Sequence, residues 1–328
     1  MKKLIVGVLA GVLSLAVALP GAAAKMRSTS VRLDAGSEEQ VTGGVVLESW
    51  QWPQKDRLLL AFTREGVEEP QRVIAQLNVE EGLAGSLYST AKKGELGFKS
   101  RLYDGRMEFL LGENQFSLEL PDGGVLRTER ADFYGDYLPE FKGEYFYQGV
   151  QFNSSEEYYF CERMARGLGM KGEAVCDKLM VYSNRGDNQG EEIAMIGFPF
   201  QVKGNEKNMR WMRASDRILV QAKVYLPQEY GSYETQYYVY NAPSATLISK
   251  FTLKENDLVI QDTYKSKILL LSDSQEPVLY LYDYREKKLQ ELDRFTRPVQ
   301  ARFSPDGTRA AVIREKRSFV PTIYELES

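Results

Sequence analysis

The chain contains no histidine among its 328 residues. That absence removes the commonest general base, the Ser-His and Cys-His nucleophile pairs and the commonest transition-metal ligand. No cofactor and no metal are expected. Cysteine is nearly absent too, with only Cys161 and Cys176. Long apolar runs are confined to one stretch, Leu4 to Leu19. It follows Met1-Lys2-Lys3 and ends at Pro20-Gly21-Ala22-Ala23-Ala24, the layout of a secretory signal peptide cleaved after Ala24. An uncleaved N-terminal anchor is the rival reading, weakened by the shortness of the run. No other segment could cross a bilayer as a helix, so no membrane span is expected after cleavage. The expected location is secreted, periplasmic or cell-envelope, and the expected mature chain is one domain spanning 25–328.

Dense basic clusters are missing as well. Arg314-Glu315-Lys316-Arg317 is broken by an acid, and losing Lys2 and Lys3 with the leader moves the formal net charge from −4 to −6. Nucleic acid, whose affinity rests on neutralising phosphates, is excluded as a partner. No stretch combines helical length, helical periodicity and capping signals, which argues against an α/β fold.

What is abundant is tyrosine, twenty residues of it, within an aromatic content of 12%. Aromatic residues suit a pleated, half-buried surface. A hairpin pattern then repeats along the chain. Val299 to Phe303 alternates, Ser304-Pro305-Asp306-Gly307 turns, and Thr308 to Arg314 is a second apolar run. Five further copies place second strands near residues 57, 106, 157, 217 and 267, alongside the one near 308. Intervals of about 40–60 residues, each with room for four short strands, are the β-propeller period. The expected fold is all-β, a six-bladed propeller. Seven blades, or two β-sandwich domains, are the alternatives. The last unit is one strand short, ending at Thr322 to Leu326, and the alternating Ser30 to Asp34 is expected to supply its outer strand. Such closure covers an edge that would otherwise invite aggregation.

The segment Phe303-Ser304-Pro305-Asp306-Gly307-Thr308 resembles the Phe-Ser-Pro-Asp-Gly turn of TolB-like, WD-repeat-like propeller modules. TolB itself carries an N-terminal α/β domain for which no room is seen, so the resemblance is to the propeller and not to that protein. Similar propellers cap prolyl-oligopeptidase-type hydrolases, but the separate catalytic domain those need is not seen either. The resemblance implies a propeller without appended chemistry.

Several local patterns have bland readings. Cys161 and Cys176, on adjoining strands in an exported protein, are expected to form a disulfide around a loop of about 15 residues, worth on the order of 3 kcal/mol. Gly167 to Gly172 satisfies a dinucleotide-binding glycine pattern but lacks the following helix. Asn184 to Glu192 is oxygen-rich and contains Arg-Gly-Asp, yet its spacing fits no calcium loop and it reads as a solvated turn. Asn153-Ser154-Ser155 fits the glycosylation triplet. The paired glutamates, such as Glu156-Glu157, are adjacent residues that point to opposite faces of a strand and cannot converge on a glycosidic bond.

Three long aromatic insertions are the candidate binding surface: 131–145 with Phe133, Tyr134 and Tyr137, the 161–176 loop, and 224–235 with Tyr225, Tyr230 and Tyr233. In a propeller all three open on one face, and tyrosine is enriched at interfaces because it joins contact area to a polar tip. The expected function is an exported, non-catalytic, monomeric propeller that binds a protein or cell-envelope ligand there. The alternative is an enzyme acting on extracellular polysaccharide, for which charged side chains converging in the central channel would be the sign.

Overall fold

A computed structural model describes residues 26–28, 45–64, 70–81, 84–103, 106–112, 114–120, 125–128, 138–139, 145–165, 174–198, 202–226, 232–254, 258–314 and 321–326. They form six four-stranded antiparallel sheets arranged as the six blades of a propeller. Blade 1 holds β2 (Val45–Gln54), β3 (Arg57–Arg64), β4 (Gln71–Asn78) and β5 (Ala84–Thr90). Blade 2 holds β6 (Leu96–Tyr103), β7 (Arg106–Leu111), β8 (Asn114–Glu119) and β9 (Val125–Thr128). Blade 3 holds β10 (Tyr145–Phe152), β11 (Tyr158–Ala165), β12 (Val175–Ser183) and β13 (Glu192–Gly197). Blade 4 holds β14 (Val202–Met212), β15 (Arg217–Tyr225), β16 (Tyr233–Asn241) and β17 (Thr246–Thr252). Blade 5 holds β18 (Leu258–Tyr264), β19 (Lys267–Ser272), β20 (Val278–Asp283) and β21 (Lys288–Arg294). Blade 6 joins β22 (Val299–Phe303), β23 (Arg309–Arg314) and β24 (Thr322–Glu325) to β1 (Met26–Ser28).

The second strands begin within a residue of where the hairpin pattern places them. Their composition follows from position. A second strand is buried on both faces, so it reads as an unbroken apolar run rather than an alternation. In β19, Ile268 and Leu270 pack toward blade 4, while Leu269 and Leu271 pack toward blade 6. In β3, Leu58 and Leu60 meet Ala311 and Ile313 of blade 6, and Leu59 and Ala61 meet Met107 and Phe109 of blade 2. A similar cluster joins blades 3 and 4, and each buried Leu or Ile contributes about 1.5–3 kcal/mol by leaving water.

The N-terminal strand does close the last blade, but upstream of its expected place. Met26, Arg27 and Ser28 pair with Tyr324, Ile323 and Thr322. Residues 30–34 lie outside the described residues. Alternation favoured 30–34, but register at an outermost edge is set by backbone pairing with β24, where a regular inward face is not required.

The expected disulfide is corrected. Cys161 and Cys176 are both buried thiols with no bond between them. Register pairs Cys161 with Met180 and Cys176 with Met164, so the two are not opposite each other. Pleating then sends them to different faces: Cys161 joins Tyr159, Met180 and Tyr182, while Cys176 joins Phe160, Leu179 and Val181. Burial, only partly offset by the hydrogen bond with Tyr182, pushes the Cys161 thiol up to about 12. Reductant is therefore expected to leave the thermal midpoint unchanged, and alkylating reagent at pH 8 to modify neither thiol until the chain unfolds. A midpoint lowered by dithiothreitol would reinstate the bond.

Two other motifs are used structurally. Asn153 is buried and its amide donates to Ser155 Oγ (2.9 Å) and Asp216 Oδ1 (3.0 Å), so it is not presented for glycosylation. Within Arg-Gly-Asp, Arg185 pairs with Glu157 and lies 5.0 Å from the centre of the Tyr158 ring. The turn is held to its own blade.

Candidate functional site

The first strands of the blades, β2, β6, β10, β14, β18 and β22, line the ring centre, with contacts running from β10 through β14, β18, β22 and β2 to β6. Their inward positions are polar, and several of these side chains cross from blade to blade. Trp211 Nε1 donates to Gln151 O (2.8 Å), Arg210 Nη1 to Gln261 O (3.1 Å), Ala301 N to Gln261 Oε1 (3.3 Å), and Trp50 Nε1 to Gln300 Oε1 (2.8 Å). Leu96 N donates to Glu48 Oε2 (2.7 Å) between blades 1 and 2. Inner strands must satisfy polar groups away from bulk water, and neighbouring blades are the available partners.

A second set ties three blades at one point. Asp262 Oδ2 accepts from Arg213 Nη2 (2.7 Å) and from Phe303 N (2.9 Å), and its Oδ1 accepts from Thr263 N (2.8 Å). Arg213 Nη2 also donates to Phe303 O (3.0 Å). Blades 4, 5 and 6 thus share one carboxylate–guanidinium pair. Asp262 is fully engaged by it.

Two further guanidiniums are less well served. Arg210 contacts Asn208 Oδ1 (3.3 Å) and Gln261 O, and among the described residues no carboxylate hydrogen-bonds to it. Arg302 lies with its guanidinium carbon 5.4 Å from the centre of the Trp50 ring, and its buried Nε has no hydrogen-bond partner. Burial depresses the affinity of both for the proton; Asp262 offsets part of this, while Arg302 acts against Arg210 and Arg213 against Arg302. Among the described side chains, Arg210, Arg213 and Arg302 outnumber Asp262 here, in a chain that is acidic as a whole.

A cleft of about 460 Å³ leads to this region. It runs between the first strands of blades 5 and 6, with Val259, Gln261, Gln300 and Arg302 in its wall and Ser272, Asp273 and Ser274 at its mouth. The size is in the range of small-ligand sites. It opens on the face that carries the second-to-third-strand turns and the blade-to-blade links, because residues 272–277 and 295–298 belong to those connections.

That is the face of the aromatic insertions, but the residues expected there are only partly placed. Phe133, Tyr134, Tyr137 and Tyr230 lie outside the described residues. Tyr225 ends β15 with its backbone paired to Tyr233, and its side chain is outside the described set. Tyr233 is exposed at the start of β16. Parts of two insertions prove to be strand: β11 and β12 stay paired to Ala165 and Val175, and the β15–β16 ladder continues to Tyr225 and Tyr233. Tyr233, whose side chain is described, does not line the cleft.

The sequence reading passed over Arg210, Gln261, Gln300 and Arg302. A signal was available. Gln300-Ala301-Arg302-Phe303 and Met209-Arg210-Trp211-Met212 are first strands in which a cation holds a position on the polar side, which a propeller turns toward its axis.

No family model and no curated protein matches the chain. Solved structures do match in fold. A chain of the mitotic checkpoint complex shares 14% identity over 99% of this chain and 100% of that one, with a TM-score of 0.43. Oligogalacturonate lyase from Vibrio parahaemolyticus shares 12% over 92% and 98%, at 0.48. The β-propeller domain of the Trilobed protease from Pyrococcus furiosus shares 13% over 83% and 80%, at 0.41. The chain is a six-bladed β-propeller.

Proposed function

We propose that the chain is exported, with residues 1–24 removed, and that the remaining ring is a non-catalytic module. It captures a protein or cell-envelope ligand on the face onto which the blade 5–6 cleft opens. The cleft itself carries the reading, since it is concave, of ligand size and lined by polar groups on a rigid ring. Rigid first strands present those groups, which lowers the ordering cost of binding. The test is capture from the host envelope with wild type and with Val259→Trp, a change at an exposed cleft residue. Loss of the partner with an unchanged thermal midpoint is expected; undiminished capture would sink the reading. Mature protein beginning at Lys25 is the matching expectation for export.

The converging arginines give some support to the second reading, action on an extracellular polysaccharide. Against it, Asp262 already accepts from three donors, which commits its oxygens to the junction of blades 4, 5 and 6 rather than to a substrate. Release of new sugar ends from envelope polysaccharide, abolished by Arg302→Gln, would favour the enzyme over the binder.

A further inference from the structure

We infer that the floor of the blade 5–6 cleft is an oxyanion site, in which Arg302 and Arg210 receive a carboxylate, sulfate or phosphate group of the ligand. This deepens the proposed binding function and rests on it for the identity of the cleft as the ligand's entrance. Three observations carry it. Arg302 lines the cleft, and its Nε is buried without an acceptor. Among the described residues, Arg210 reaches only neutral oxygens, those of Asn208 and the Gln261 backbone. Asp262, the described carboxylate whose charge acts on both, is held by Arg213 and two backbone amides.

A buried guanidinium without a compensating charge is costly, and removing a partner from such a group typically costs several kcal/mol. Among the described side chains, the surroundings of these two guanidiniums therefore have a deficit of negative charge and of acceptors. Water could supply acceptors, but not the charge. An oxyanion supplies both, and the planar guanidinium fork matches its geometry with paired hydrogen bonds. Trp50 beneath Arg302 and the Gln300 amide bound to Trp50 hold the receiving strand in place. Asp273 stands exposed at the mouth, where water and salt screen it, so it does not bar an anion from the floor.

The test is isothermal titration of the full mature ring with sodium phosphate, sodium sulfate and sodium acetate, at constant ionic strength held with sodium chloride. Saturable binding of one anion per chain is expected from at least one of the three. Acetate above the others points to a carboxylate ligand, and phosphate or sulfate above acetate to an ester. Arg302→Gln and Arg210→Gln should each weaken binding at least tenfold. Arg302→Lys, which keeps the charge without the fork, should fall between. Arg285→Gln, an exposed cation elsewhere on blade 5, should bind as wild type.

A second readout separates a ligand site from a structural one. In anion-free buffer the thermal midpoint of Arg302→Gln should equal or exceed that of wild type, because a charge lacking a partner has been removed. The wild type should gain on it when the bound anion is added. A clearly lower midpoint for the variant without anion would show the charge already compensated inside the ring, and would overturn the inference. So would the absence of saturable binding, binding by many anions per chain, or equal binding by wild type and Arg302→Gln. These failures are separable from failure of the proposed function. Phosphate binding without cleft-dependent capture removes the function alone, and cleft-dependent capture without anion binding removes the ligand class alone.

Discussion

Replacing Gly307 with alanine is expected to destabilise the ring by about 2–5 kcal/mol. Two costs add. Gly307 has φ of +70°, a left-handed conformation that costs a residue with a Cβ about 1–2 kcal/mol. The new Cβ would also fall within the ring of Tyr264, the last residue of the neighbouring blade's first strand. Overpacking of that kind costs a further 1–3 kcal/mol. Neither neighbour is free to yield. The turn is laced by Ser304 Oγ and Thr308 Oγ1, which donate to Asp306 Oδ1 at 2.6 and 2.8 Å. Burial of Asp306 alone would raise its pKa, but these bonds, with Arg309 nearby, hold it down to about 2, so the turn keeps its charge at any ordinary pH. Tyr264 in turn packs beside Phe303 with ring centres 6.2 Å apart. Chemical denaturation of Gly307→Ala in the wild-type and Tyr264→Ala backgrounds checks the argument. The penalty should shrink to the backbone part, about 1–2 kcal/mol, when the ring is gone. Equal penalties in both backgrounds would remove Tyr264 from the account.

Asp262→Ala is expected to cost on the order of 3 kcal/mol. The carboxylate neutralises Arg213 and satisfies the amides of Thr263 and Phe303, so its loss leaves one guanidinium and two backbone donors unserved across three blades. The figure stays near the lower end for a broken buried pair because the Arg213 side chain keeps 32% of its exposure and can recruit water. Arg213→Ala in the same chain should recover part of the loss, since no charge is then left behind. A double variant as unstable as the sum of the two singles would show that the residues do not act as a pair. Urea denaturation of the four proteins decides it.

These two sites show how the chain's legibility is distributed. Gly307 was readable: an Asp-Gly turn between two apolar runs specifies a hairpin by local conformational preference. The same applies to the spacing of second strands, because a strand buried on both faces must be apolar throughout. Asp262 was not readable. It lies in Ile260-Gln261-Asp262, where the register shifts by one residue, and such an irregularity depends on the partner strand rather than on local pattern. Cys161 and Cys176 failed for a related reason. Their separation in sequence suits a staple, but the register of β11 with β12 and the pleat turn them apart.

The candidate site divides the same way. Aromatic insertions are conspicuous in composition and drew attention to the link face, which is also the face on which the cleft opens. Arg210 and Arg302 are ordinary charged residues in alternating strands, far apart in sequence. Ring closure alone brings them to a shared centre, where among the described residues three guanidiniums act with one carboxylate. By itself, then, the sequence determined the blade and its repetition, since strand and turn preferences act over a few residues. The tertiary structure decided which polar side chains face the axis together and which of them lack a partner. Burial and charge balance are properties of the closed ring, and no single repeat contains them.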